Sequence, residues 1–95
     1  MAREMQLFSI YDSVGERYFP PFTAENAKDA LRSFGDILRD PQSALSRHVD
    51  DYILFRMGKY VVETGRITPL EQPELIETGA ALFTPTEVPQ LRAEG

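Results

Sequence analysis

The spacing of apolar residues predicts one amphipathic helix in the first half of the chain. Its apolar stripe recurs at helical spacing and comprises Ala27, Ala30, Leu31, Phe34, Ile37 and Leu38. Thr23 is a suitable N-cap, because its side chain can accept a backbone hydrogen bond and the acidic Glu25 follows in the first turn. Pro41 ends the helix, since proline keeps the preceding residue out of the helical conformation. The sequence therefore predicts a helix over residues 23–39.

The residues before this helix have the composition of a β-hairpin. Residues 7–11 are rich in aromatic and β-branched side chains, residues 12–15 have turn chemistry, and residues 18–19 resume the apolar run. The prolines at positions 20 and 21 end the second strand, because they cannot donate ladder hydrogen bonds.

A second predicted hairpin follows the helix after a polar connection. Residues 52–57 and 59–63 are rich in strand-forming side chains, with a bulge expected at Gly58, and residues 66–70 return after a turn. The order of elements is therefore ββαββ. We predict an α+β fold in which the helix packs on one face of a small antiparallel sheet built from the two hairpins.

Alternation along the strands offers apolar side chains to both faces of this sheet. One assignment turns residues 53, 55 and 57 toward the helix and residues 52, 54 and 56 outward. A single helix covers only one side, so the outward apolar residues predict a two-fold homodimer. The candidate interface residues are Tyr11, Tyr52 and Leu54.

Charge is distributed unevenly along the chain. The formal net charge is −5, and of the 10 Lys and Arg residues only Arg92 lies beyond residue 70. The acidic residues of that last part are Glu71, Glu74, Glu77, Glu87 and Glu94. We therefore predict one domain over residues 1–72 and an acidic, proline-containing tail over residues 73–95. The apolar run at residues 80–83 leaves three interpretations of the tail open: a frayed end with a docked hydrophobic segment, a partner-binding peptide, or an arm exchanged in a dimer.

The sequence shows no catalytic or metal-binding constellation. The chain has no cysteine, which excludes disulfides, thiolate chemistry and Cys-ligated zinc. His48 lies beside Asp50 and Asp51, a pattern that fits either an acid–base pair or a loop histidine that caps backbone groups or packs on Tyr52. We expect a protein that is not an enzyme and uses no cofactor or metal.

The N-terminus and the hydropathy of the chain predict a soluble intracellular protein with no membrane partner. No apolar run approaches the ~20 residues of a membrane helix. The first four residues lack the hydrophobic region of a signal peptide.

Aromatic residues interleaved with cations on the predicted sheet are compatible with binding of single-stranded nucleic acid. Aromatic rings can stack on bases while Arg and Lys contact phosphates. The candidate contacts are Arg17, Tyr18, Arg32, Arg47, Arg56 and Lys59. The same aromatic residues also suit a core or a dimer interface, and the net acidity is not that of a nonspecific DNA-binding protein. Both interpretations stay open.

Several short motifs together resemble one phage family. They are FSIYDS at 8–13, YFPPF at 18–22, AxxALRSFGD at 27–36, DP at 40–41, HxDDY at 48–52, LF at 54–55 and MG at 57–58. In this order and spacing they resemble the small nonstructural protein of gokushovirus-type microviruses, which are phages with single-stranded DNA. The resemblance covers residues 5 to 70.

The resemblance implies a regulator of phage DNA. Members of that family are described as DNA-binding or DNA-packaging proteins that direct replication toward single-strand synthesis and packaging into procapsids. The implied partners are single-stranded DNA, phage or host replication proteins and the procapsid. The implied location is the host cytoplasm, with no place in the mature virion. The alternative is a homodimeric protein–protein adaptor that contacts replication or capsid proteins without touching DNA.

Overall fold

A computed structural model of the protein describes residues 3–83. Its strands are β1 (Glu4–Asp12), β2 (Arg17–Tyr18), β3 (Phe22–Ala24), β4 (Tyr52–Val61) and β5 (Ile67–Thr78). Its helices are α1 (Ala27–Arg39) and the short α2 (Gly79–Phe83), and two short 3₁₀ helices, Ala44–Arg47 and Val49–Asp51, connect α1 to β4. The predicted α+β class, with a small antiparallel sheet and one main helix, is confirmed.

The strands form one antiparallel sheet in the order β2-β1-β4-β5, and β3 pairs with β1 on the same side as β2. After the two prolines the chain resumes pairing, with Phe22 opposite Phe8 and Ala24 opposite Gln6. β3 forms there because β2 pairs only with the end of β1 and leaves its beginning free. The order among the described residues is therefore βββαββα and not the predicted ββαββ.

The main helix begins later than the sequence suggested. Thr23 lies in β3, opposite Leu7, so it does not cap the helix. The N-cap is Asn26, whose side-chain Oδ1 accepts the Asp29 N–H at 2.9 Å. The predicted start at Thr23 is wrong. Thr23 and Asn26 both have side chains that can cap a helix, but Thr23 pairs with β1, so the helix begins after Asn26. The predicted end at Arg39 is confirmed.

One hydrophobic core lies between α1 and the sheet. Its buried residues are Phe8, Ile10, Ala30, Phe34, Leu38 and Leu54. Ala27 and Leu31 pack against it half-buried, whereas Ile37 is exposed, so most of the predicted apolar stripe faces the sheet. Full burial of a side chain as large as Phe34 or Leu38 stabilises the fold by about 1.5–3 kcal/mol. The helix therefore covers one face of the sheet, and no other helix among residues 3–83 packs on the opposite one. On that opposite face Ser9 is nevertheless buried, and its hydroxyl donates to the Phe19 carbonyl at 2.7 Å.

Strand β4 turns Leu54 toward the helix, opposite to the predicted facing. Leu54 is fully buried and pairs with Ile10, which is also in the core. Phe55 therefore points to the other side of the sheet, where its ring contacts Tyr11. The predicted outward facing of Leu54 is wrong. A strand with apolar residues at adjacent positions fits either facing, and packing against α1 selects the one that buries Leu54.

Three irregularities interrupt the pairing of β4, and one of them lies between Leu54 and Phe55, where Ile76 of β5 has no partner. Next to the predicted bulge at Gly58, Met57 has no partner in β1, because Gly58 pairs with Leu7 and Arg56 with Phe8. On the other side, Arg56 pairs with Glu74 and Gly58 with Pro69, so residues 70–73 of β5 are left out of the register. These bulges bend the sheet without exchanging the faces of its two halves.

β5 continues through the position where the predicted domain ended. It runs to Thr78, which lies opposite Ile53, so the predicted boundary between residues 72 and 73 falls within β5, where its pairing with β4 is interrupted. Leu82 and Phe83 of α2 then pack against the core, as the docked-segment interpretation of residues 80–83 expects. The junction residue Gly79 is buried, and a Cβ there would overlap the carbonyl oxygen of Val49. Residues 84–95 of the predicted tail lie outside the described part of the chain.

Candidate interaction surface

The cross-strand register defines the sheet face that lies opposite α1. Residues that pair across strands share a face, and alternate residues along a strand return to it. We name this surface the open face. It consists of Met5, Leu7, Ser9, Tyr11, Tyr18, Thr23, Ile53, Phe55, Tyr60, Ile67, Pro69, Leu75 and Thr78.

Three aromatic rings form a cluster at one end of the open face. Tyr11 and Tyr18 are a cross-strand pair with ring centroids 4.7 Å apart. Phe55 packs edge-on against both, at 6.2 Å from Tyr11 and 5.8 Å from Tyr18. Tyr18 keeps 44% of its surface exposed. The cluster is therefore preformed by its own ring contacts and still accessible to a ligand or partner.

Aliphatic residues extend this apolar surface across the sheet. Leu75, which pairs with Phe55, is 52% exposed, and Ile67, which pairs with Tyr60, is 55% exposed. Val62 continues the pairing beyond the end of β4, since its N–H donates to the Arg3 carbonyl at 2.9 Å, and it is 41% exposed. Large apolar side chains thus lie in water at both ends of the open face.

Charged side chains at paired strand positions all lie on the side that carries the helix. They are Glu4, Asp12, Arg17, Arg56, Lys59, Glu74 and Glu77. This arrangement reverses the usual pattern of a sheet with one covered face, in which polar residues occupy the solvated side. The nearest ion pair at the margin of the open face joins Arg3 and Glu25 at 2.6 Å. The open face is therefore apolar and uncharged across its paired positions.

Two of the predicted nucleic-acid contacts are engaged with other side chains. The Arg56 guanidinium donates to Glu74 Oε1 at 2.7 Å and to Gln6 Oε1 at 2.8 Å, and its side chain is 26% exposed. Lys59 Nζ lies 4.0 Å from a carboxylate oxygen of Glu4. A phosphate would have to compete with a carboxylate at both positions.

The remaining predicted nucleic-acid contacts are spread over several elements. Arg17 precedes Tyr18 in β2, Arg32 lies on the exposed side of α1, and Arg47 ends the first 3₁₀ helix. None of these three arginines makes an ion pair with another residue among 3–83. Among the six predicted nucleic-acid contacts, Tyr18 alone lies on the open face formed by the described strands. Arg17 is next to Tyr18 in β2 but faces the helix side, so the fold leaves the candidate contacts on separate surfaces.

The candidate interface residues also separate. Tyr11 lies on the open face. Leu54 is buried in the core, so its predicted place in an interface is wrong. Tyr52 lies on the helix side, half-buried, with its ring 5.9 Å from that of Phe19. Burial raises the pKa of the Tyr52 phenol above its ordinary value of 10.0, and the carboxylates of Asp12 and Asp51 raise it further, while Arg17 acts in the opposite direction.

His48 takes part in backbone contacts between the two 3₁₀ helices. Its N–H donates to the Leu45 carbonyl at 3.2 Å, and its carbonyl accepts the Asp51 N–H at 2.9 Å. Within residues 3–83 no group of three or more His, Cys, Asp or Glu side chains could hold a metal ion, and no pocket is present. No helix in this part of the chain is both long enough and apolar enough to cross a membrane.

Sequence reasoning missed Phe55, Leu75, Ile67 and Val62 as surface residues. Phe55 was assigned to the core because the strand pattern allowed either facing, and Leu75 was placed in a tail. One signal was available: adjacent apolar residues at 53–55 require that one of them faces away from the core. The sequence did not indicate which one.

A family model described as phage ORF5 protein matches residues 5–82. The chain belongs to the phage ORF5 protein family. The match includes α1 and all five strands except the first residue of β1, and it extends beyond the motifs at residues 5 to 70 through the rest of β5 into α2. No curated protein and no solved structure matches this family member. Membership makes this a bacteriophage protein.

Proposed function

We propose that this phage ORF5 family member is the small nonstructural protein of a gokushovirus-type microvirus. In this proposal it is a non-enzymatic regulator of single-stranded DNA synthesis and of genome packaging into procapsids, active in the host cytoplasm. It acts by protein association through the open face. The phage family match and the motif resemblance support the role, and the apolar, uncharged open face supports the mode of action.

The open face carries the proposal because it has the chemistry of a protein interface. Contiguous exposed apolar surface is rare on monomers and marks sites of association. Interface centres are depleted of charge and enriched in aromatic residues, as are the positions around Tyr11, Tyr18 and Phe55. Leu75 and Ile67 enlarge the patch with aliphatic surface.

Substitution on the open face tests this function in cells that produce the phage. Leu75→Arg introduces a charge into the proposed interface next to Phe55, and we expect the ratio of single-stranded to double-stranded phage DNA to fall. Val14→Arg is the matched control, because Val14 is 73% exposed in the turn between β1 and β2 and lies off the open face. An unchanged ratio with folded Leu75→Arg protein would contradict the proposal, as would an equal fall in both variants.

A second candidate function is direct binding of single-stranded DNA at the aromatic end of the open face. The observation that favours it is the partly exposed ring of Tyr18 in the outer strand β2. Arg17 precedes it on the helix side of the same strand, is exposed, and makes no ion pair with residues 3–83. Base stacking on such rings contributes about 1–3 kcal/mol per base. The net charge of −5 opposes phosphate binding. Any such binding should therefore be weak and sensitive to salt.

Fluorescence anisotropy with a labelled oligonucleotide across a salt series tests this candidate. Tyr18→Ala should weaken binding, and Arg17→Ala should reduce the salt slope by about 1, as expected for one lost phosphate contact. Arg66→Ala is the control, since Arg66 is also exposed and lies at the opposite end of the sheet. Absence of binding at low salt, or equal effects of the three substitutions, would leave protein association as the function of the open face.

A further inference from the structure

We infer that a second copy of this chain covers the open face, so that two sheets pack face to face around a two-fold axis. This inference rests on the proposed use of the open face for association, and it names the partner. An isologous contact places the same patch on both subunits, so the patch must be compatible with itself. The open face satisfies this condition because its paired positions carry no charge.

Charge elsewhere on the molecule favours this face over other self-contacts. The chain has a net charge of −5, so two copies repel one another at most approaches. Contact through the uncharged face holds the strand carboxylates on the far side of each sheet. A nucleic acid or a strongly charged protein would find no complementary charge on the open face, whereas an identical apolar face needs none.

Edge-to-edge pairing of two copies is opposed by the composition of β5, which is the outer strand on one side of the sheet. Pro69 and Pro73 cannot donate hydrogen bonds to an added strand. Glu71, Glu74 and Glu77 would bring like charges together in a symmetric pair. Self-pairing through the β5 edge is therefore disfavoured.

The size of the open face is close to what a stable dimer needs. Four strand positions about 4.8 Å apart, with nine residues in β1 at about 3.3 Å each, present on the order of 570 Å² in projection. Side chains corrugate the face, so its accessible area exceeds this projection. A standard interface buries about 800 Å² per partner. Face-to-face packing of two such sheets, about 10 Å apart, is a common arrangement in β-proteins.

Sedimentation equilibrium of the full chain, at concentrations up to about 100 µM, tests the partner directly. We expect a mass twice that of the 10.8 kDa chain. Leu75→Arg and Ile67→Arg should each weaken dimerisation by about 100-fold or more. In a two-fold dimer each substitution places two arginines in the interface, one from each subunit, and neither has an opposite charge to pair with. Val14→Arg and Ile37→Arg are matched controls, since both residues are exposed but lie in a turn and on α1. Circular dichroism checks that each variant is folded.

Thiol protection locates the interface without introducing charge. The chain has no cysteine, so Leu75→Cys creates a single reactive site on the open face, in its outer strand β5. Its reaction with a maleimide should slow about tenfold at a concentration where nine tenths of the chains are dimeric, by mass action. Val14→Cys should react at a rate that is independent of protein concentration.

The outcomes separate this inference from the proposed function. A monomeric mass at the highest concentration overturns the second copy as partner, and so does a dimer that persists in both Arg variants. If the chain is monomeric but Leu75→Arg still lowers single-stranded phage DNA in cells, the open face binds a different protein and the proposed function stands. If the chain is dimeric through the open face and Leu75→Arg has no effect in cells, the proposed function fails and the dimer stands.

Discussion

A chain that ends at residue 72 should be much less stable than one that ends at Phe83. The shorter truncation follows the domain boundary that charge and proline content indicated. In the structure it removes the half of β5 that pairs with residues 53–56 of β4, together with all of α2. It also removes Ile76, Leu82 and Phe83, which pack half-buried against the core.

The size of the loss follows from these three side chains. Full burial of each would stabilise the fold by about 1.5–3 kcal/mol, so half-burial of the three together contributes on the order of 2–5 kcal/mol. Loss of their cover also exposes Leu54 and Leu38, which are almost fully buried in the intact chain. Domains of this size have about 5–15 kcal/mol of total stability. The truncation should therefore remove a large fraction of it.

Urea denaturation monitored by circular dichroism measures the effect. We expect the chain ending at residue 72 to unfold at a lower midpoint, with a smaller m value because it buries less surface. The chain ending at Phe83 is the control, because it retains every contact described for residues 3–83. Equal midpoints and m values for the two truncated chains would refute the reasoning and return the domain boundary to residue 72.

Further substitutions test the packing and electrostatics of the fold. Phe34→Ala should lower the free energy of unfolding by about 3–5 kcal/mol because the ring is fully buried, and a loss below ~1 kcal/mol in a urea titration would place it outside the core. Asn26→Ala should cost about 1 kcal/mol in the same assay through loss of the N-cap hydrogen bond. Gly35→Ala should raise the melting temperature, since alanine favours a helix by about 1 kcal/mol and the atoms nearest the new Cβ belong to the flexible Arg39 side chain, which can shift. The pKa of Tyr52 is higher in the folded state, so stability should fall as the pH rises above about 10, and thermal melts of Tyr52→Phe should show a smaller fall.

Local patterns in the sequence determined the class of fold and the position of the main helix. The helical stripe that contains Phe34 and Leu38 required a partner surface, and strand-like runs on both sides supplied it. The end of α1 at Arg39 follows from the proline two residues later, since that constraint acts through the backbone of adjacent residues. The absence of cysteine and the apolar run at residues 80–83 were likewise visible without any tertiary information.

Tertiary structure alone decided which side of each strand is covered. Strand geometry allows residues 53–55 to face in either direction, and only the packing of α1 places Leu54 inside and Phe55 outside. That choice moves the candidate interaction surface from Tyr52 and Leu54 to the open face.

Distant pairing decided the remaining boundaries. Thr23 could have capped a helix, but it pairs with Leu7 of β1, so Asn26 caps the helix instead. Glu74 and Leu75 have the composition of a tail, yet they pair with Arg56 and Phe55 of the preceding strand β4. The sequence carries local propensities, whereas the facing, register and end of a strand depend on the neighbours against which it pairs and packs.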